Sequence, residues 1–422
     1  MLQRTVSLYQ RAYRGLSPSV WLLAGVMLIN RCGTMVLPFM TLYLTQQLHY
    51  SVTKAGTVMA VYGAGAFVGT FLGGRLTDRI GFHAIQVFSL LAGGIALILL
   101  QFVTDFYLLC GSVFTFTLLG DTFRPANQAA IAYYSDTETR TRAFSFNRLA
   151  INLGWAVGGG LGGWLASIQY NLLFWVDGLT CVAAGIVLWL YLPIPTESPA
   201  DRQTRSSAEL THVQPVLPAL LPHRDPFFIA FVVCNTLYLI AFMQLFTMVP
   251  LFFKERLHLS EGSIGLLMTL NGLLVVAIEM ALVYTVEEQK RSKIDLIILG
   301  VLLTAVSYAV LALSGFQNYY GISSAGAVIA LLYILFVTAS EMLVMPFLQS
   351  FTVERASPAT RGQYLALYAM GGALAQTAAP ALGSLVVASA GFSVHWLAVS
   401  GISLVSAGGF WWLGRQQPAN PG

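Results

Sequence analysis

The chain has 422 residues, is 56% hydrophobic and only 9% charged, and carries a net charge of +4. A soluble domain holds about 25% charged residues, so this composition excludes a water-soluble globular protein and points to a polytopic membrane protein. The basic residues are spread over many short loops rather than gathered on one face, so no nucleic-acid partner is expected.

Apolar runs of about 20 residues mark membrane-spanning helices. In chain order they predict twelve spans: 18–46, 52–74, 82–103, 106–134, 143–168, 172–193, 225–253, 263–285, 294–315, 322–352, 362–388 and 394–414. The class is all-α, with no strand predicted. Met1–Ser17 is polar and basic, and the run after it is too long for a signal-peptide core, so no cleavable signal is expected. Several spans exceed the bilayer thickness and should tilt or bend, at Pro38, Pro125, Pro250, Pro346 and Pro380. Cys32, Cys110, Cys181 and Cys234 all fall in apolar runs without CxxC spacing, and read as buried small hydrophobes rather than a disulfide or metal set.

An even number of spans puts both termini on one side. The connections on that side hold Arg4, Arg11, Arg14, Arg75, Arg79, Arg140, Arg142, Arg202, Arg205, Arg224, Lys290, Arg291, Lys293, Arg355, Arg361 and Arg415. The opposite loops hold Lys54, Lys254 and Arg256. Positive charge stays inside, so both termini are placed in the cytoplasm. The stretch 194–224 is the only long polar connection; its five prolines, serines and charges read as a flexible cytoplasmic linker between bundles 1–193 and 225–422.

An internal repeat supports two pseudo-symmetric six-helix halves. Leu48-His49 recurs as Leu257-His258, a separation of 209; at the same separation Gly56 meets Gly265, Met59 meets Met268, Gly63 meets Gly272 and Asp78 meets Glu287. Around the fifth span the separation is 221, pairing Pro125 with Pro346, Arg140 with Arg361 and Gly162 with Gly383.

The stretch Gly73–His83, GGRLTDRIGFH, joins the second and third spans. It must face water, because charges are costly in hydrocarbon. It resembles the loop between helices 2 and 3 of the major facilitator superfamily, G-x-x-x-D-R/K-x-G-R/K-R/K, at Gly74, Asp78, Arg79 and Gly81; Phe82 and His83 stand in place of the final basic pair. The resemblance implies the major facilitator fold, with this loop holding the inner side shut in one conformation. The run Gly158–Gly163 in the fifth span resembles the antiporter motif G-P-x-x-G-G, with Gly159 in place of proline, and its eleventh-span counterpart carries Pro380. Gly158, Gly159, Gly162, Gly163 and Pro380 read either as a helix-packing face or as an antiporter signature.

Ionisable groups inside spans face a cavity or a partner. Arg31, Asp121, Arg124 and Arg148 lie in the first half, and Glu279 and Glu341 in the second, which predicts a basic N-half and an acidic C-half across one cleft. Glu341 is the first candidate to carry the proton, because no arginine lies within a helical turn of it, and Asp121 is the second. Asp121 and Arg124, three apart, either brace their helix or offer the arginine to substrate. Arg148 shares a face with Asn152 and Trp155, and either binds substrate or pins the loop 135–142. Arg31, near the middle of the first span, is assigned to binding, and Glu279 to the inner gate. Tyr43, Tyr62 and Trp155 suit an adaptable apolar pocket or simple core packing. Asp177 reads as a structural polar residue near the outer surface, and His49 and His258 as loop residues at matched positions.

No phosphate-binding loop, metal-ligand cluster or Ser/His/Asp arrangement is visible, so neither an enzyme nor a cofactor is expected. Along most of its length the chain resembles the bacterial drug-efflux branch of the superfamily. That implies a proton-coupled antiporter of the bacterial inner membrane, exporting amphiphilic small molecules as a monomer with lipid, protons and substrate as its partners. The alternative is proton-coupled uptake: EMLVMPFLQSFTVERASPATR (Glu341–Arg361) resembles peptide symporters, and NRCGTMVLPFMTLYL resembles their E-R-F…Y-L stretch, with Asn30 where the acid would stand.

Overall fold

The structure, a computed structural model, describes residues 15–136, 139–194, 221–288, 292–315, 323–356 and 361–416. The described residues are helical, with no strand among them. Eleven helices are long and apolar enough to cross a membrane. The last of these, Arg361–Gln416, merges two spans across Gly391, where φ is +81°. The expected twelve spans are therefore present. Large apolar side chains such as Phe71, Trp164, Leu313 and Trp411 stand exposed, as lipid-facing positions should. The linker predicted at 194–224 lies mostly outside the described residues.

Two of the five prolines coincide with breaks. The first span stops as an α-helix at Cys32, turns through 33–35 and restarts at Val36, two residues ahead of Pro38, to run to Leu42. The fourth span divides at Thr122 into Phe106–Asp121 and Phe123–Tyr134, just ahead of Pro125. Proline cannot donate to the carbonyl four residues back and crowds it. Thr34 and Asp121 are those carbonyls. Pro250, Pro346 and Pro380 sit in helix that continues past them, so the pair Pro125 and Pro346 is symmetric in sequence and not in structure.

The repeat is clear at the ends of the first and seventh spans. His49 and His258 both take left-handed backbone conformations, with φ of 54° and 55°. Leu48 and Leu257 N–H donate to Tyr43 and Phe252 carbonyls, and Tyr50 and Leu259 N–H to Leu44 and Phe253. Each histidine occupies the position that glycine usually fills in this kind of helix stop.

By compactness the chain divides into Met1–Val36 with Gly65–Ser207, and Leu37–Ala64 with Ala208–Gly422. The first unit is built around Leu23, Met27, Phe82, Phe123, Ile131 and Leu188. Its third and sixth spans approach closely: a Cβ on Gly94 would lie 2.7 Å from the Gly178 carbonyl. Inside the same unit, Gly65, Gly69 and Gly73 set the inner half of the second span against the backbone of the fourth at Phe114, Leu118 and Thr122. The second unit centres on Phe252, Phe253, Tyr308, Tyr333 and Trp396, all fully buried. There the outer half of the second span packs on the eleventh: a Cβ on Gly63 would stand 2.8 Å from the Gln376 carbonyl.

The boundary at Gly73–His83 is tighter than expected. The second span runs as one helix from Val52 to Ile80, and only Gly81 leaves the helical conformation before the third begins at Phe82. Its φ of +100° explains why glycine stands there. The cysteines are free, as expected, but only Cys234 is buried and the other three are half-buried.

Candidate functional site

Polar side chains inside an apolar bundle must find partners. In the second unit Asn271, from the eighth span, is a partner of Glu341. Its Nδ2 donates to Glu341 Oε2 at 3.1 Å and to Thr338 Oγ1 at 2.9 Å. Glu341 is half-buried. Asn271 was missed in the sequence; an amide two spans away from an acid leaves no one-dimensional signal. Glu279 is buried on the same eighth span. Tyr43 is buried and Tyr62 half-buried, both in the second unit, and the Pro380 carbonyl lies 2.8 Å from a Cβ built on Gly56.

In the first unit, Asp121 meets Arg124 at 2.5 Å, at the break in the fourth span. Arg124 is the more exposed partner. Arg31 backs onto the fifth span: a Cβ on Gly154 would lie 2.3 Å from Arg31 Cβ, and one on Gly158 would lie 3.0 Å from the Arg31 and Cys32 carbonyls. Arg148, Asn152 and Trp155 are half-buried along that fifth span. Gly159, Gly162 and Gly163 are buried on it. Beside them, Gln86 Nε2 donates to Asn127 Oδ1 at 3.2 Å, and Asn127 Nδ2 to Asn147 Oδ1 at 3.4 Å.

Asp177, read from the sequence as a structural polar residue, lies within two turns of the start of the sixth span, Asn171–Tyr191. It is 6% exposed, and its Oδ2 accepts from the Met35 and Val36 N–H groups at 3.3 and 3.4 Å. The first unit therefore holds two buried acids, Asp121 and Asp177, beside Arg31, Arg124 and Arg148. The residues expected to bind substrate divide between the units: Arg31, Arg124, Arg148, Asn152 and Trp155 in the first, Tyr43 and Tyr62 in the second.

At the inner end of the second span Asp78 and Arg79 are exposed, Gly74 faces open space, and Arg75 lies 4.3 Å over the Phe71 ring. A second charged cluster was not anticipated. Asp225 caps the seventh span by accepting from Phe228 N–H at 3.1 Å. Arg355, at the end of the tenth span, donates to both its carboxylate oxygens at 2.7 and 2.8 Å, and Tyr364 Oη donates at 3.0 Å. Burial pushes the Asp225 carboxyl up, but the guanidinium and the capping N–H outweigh it and hold it below its ordinary value.

Residues 22–359 match the Major Facilitator Superfamily. The Na(+), Li(+), K(+)/H(+) antiporter of Planococcus maritimus is 23% identical over 93% of this chain and 94% of its own. Multidrug resistance protein MdtH of Photorhabdus laumondii is 22% identical over 81% of this chain and 80% of its own. The crystal structure of a POT family transporter in complex with 5-aminolevulinic acid superposes with a TM-score of 0.77, at 16% identity, over 94% of this chain and 96% of that one.

Proposed function

The chain belongs to the Major Facilitator Superfamily, and from that premise we propose that it is a proton-coupled antiporter working by alternating access, which exports amphiphilic small molecules. The observation that carries the reading is Glu341, a carboxyl inside the tenth span held by the neutral donor Asn271. An ionisable group at that depth is expensive, and such groups serve coupling or transport. Asn271, itself held by Thr338, fixes the position of that carboxylate. A proton arriving from outside neutralises it and favours one conformation; substrate from inside favours the other. Asp121 is the second acid of the pathway, its charge held by Arg124 until substrate competes for that arginine. Arg31, Arg148, Asn152, Trp155, Tyr43 and Tyr62 would contact substrate, and Gly74, Asp78, Arg79, Gly81 and Glu279 would set which side closes. The two halves would be 1–193 and 225–422, in the bacterial inner membrane with cytoplasmic termini.

The relative that exchanges alkali cations for protons adds a second cargo class, so the test carries both. Proteoliposomes are given an inward proton gradient and loaded with ethidium, Na⁺, Li⁺ or K⁺. Ethidium leaving as protons enter is the expected result; Na⁺, Li⁺ or K⁺ leaving as protons enter, without ethidium transport, moves the cargo to alkali ions. Cargo moving in the same direction as protons replaces export by uptake. Glu341→Gln should abolish coupling and flatten the pH profile; a variant that keeps both removes Glu341 from the pathway.

A further inference from the structure

The first span is broken where its backbone needs help. Cys32 ends the inner helix, and Val36 begins the outer one. In the turn, Thr34 N–H donates to the Arg31 carbonyl at 3.1 Å and Met35 N–H to the Gly33 carbonyl at 2.6 Å. Met35 and Val36 N–H also point at the carboxylate of Asp177, from the sixth span. The sixth span presses against this turn so closely that a Cβ on Gly33 would lie 1.9 Å from Thr180 Oγ1 and 3.3 Å from Asp177 Oδ1. The other carboxylate oxygen accepts from Cys181 Sγ at 3.7 Å, which itself accepts from Asn30 Nδ2 at 3.3 Å.

The place is also where the chain changes company. Residues up to Val36 belong to one compact unit, and those from Leu37 to Ala64 to the other. A buried acid therefore grips the backbone at the last residues before that division.

We infer that Asp177 is a proton-binding residue whose charge fixes the joint in the first span: ionised, it clamps the Met35 and Val36 amides; protonated, it releases them. The proton comes from water and binds a carboxyl oxygen, and no other bond is made or broken. Hydrogen bonds to an ionised acceptor are roughly twice as strong as those to a neutral one, so the proton loosens both amides at once. Among the described residues, three titratable groups are in reach of Asp177. The first span brings Arg31, within electrostatic reach, and Cys32; the sixth span itself brings Cys181. The third span meets the sixth through Gly94 and Ile98, and the fifth meets the first through Gly154 and Gly158, none of them titratable. Asp177 is a different acid from Glu341. The reading of the chain as proton-coupled gives it a purpose, but the clamp stands on geometry alone.

The test measures the joint rather than transport. Hydrogen–deuterium exchange of the full chain in lipid nanodiscs is followed for peptides covering 33–40, corrected for the intrinsic pH dependence of exchange. Between about pH 8 and about pH 5, protection there should fall about tenfold, the factor that ~1.4 kcal/mol represents. Asp177→Asn should show the low protection at every pH, and Glu341→Gln should keep the wild-type profile. Infrared difference spectra should show a protonated-carboxyl band that grows as pH falls and is missing in Asp177→Asn. If Asp177→Asn does not fold, Asp177→Glu, which keeps the charge but shifts the carboxyl, should move the midpoint. Wild-type protection that is flat with pH overturns the inference, as does an unchanged profile in either Asp177 variant. Failure of coupled flux with the exchange profile intact would overturn the proposed antiport and leave the clamp standing.

Discussion

Removing Arg355 should damage the protein more than neutralising its partner Asp225. The carboxylate is 2% exposed, whereas the Arg355 side chain is 31% exposed. Among the described residues, Arg355→Ala leaves a buried charge with the Phe228 N–H and Tyr364 hydroxyl to answer it. Breaking a buried pair from one side costs 3–5 kcal/mol; partial exposure of the arginine trims this to about 3 kcal/mol. Loss of its stacking on Phe227, at 4.3 Å, adds ~0.5 kcal/mol. Asp225→Asn keeps the helix cap, since asparagine caps as well as aspartate, and the arginine it abandons can turn to water. That change should cost about 1 kcal/mol. The assay is thermal unfolding in detergent, read by a thiol-reactive dye that labels the buried Cys234 as the helices open. Arg355→Ala should melt several degrees below Asp225→Asn, with ~2–4 °C for each kcal/mol. Equal melting of the two variants, or a lower melting point for Asp225→Asn, would refute the reasoning that burial of the orphaned partner sets the cost.

The same cluster gives a pH dependence. Because the folded Asp225 carboxyl lies below its ordinary value of 3.8, its contribution is complete above that value and is lost as pH falls through the lower folded one; acid melting curves of wild type and Asp225→Asn should converge there. His258→Gly should raise the melting temperature slightly, by ~0.5 kcal/mol, since a side chain in the left-handed region is strained. A lower melting temperature for that variant would mean that the imidazole makes a contact outweighing the strain.

The sequence by itself determined the class, the number of spans and the family, because each depends on local quantities. Twenty apolar residues in a row must cross a bilayer whatever they pack against. The family loop shows at Gly74, Asp78, Arg79 and Gly81, and the repeat at Leu48-His49 and Leu257-His258 survives as matching backbone geometry. Composition did not say which of five prolines would break a helix, because that depends on what receives the freed backbone groups. Only the folded chain brought Asp177 to Met35, across 142 positions of sequence, and Asn271 to Glu341 across 70. Inside a membrane every polar atom must be answered by another part of the protein. Which atom answers which is decided by helix rotation and packing, and those have no signature along the chain.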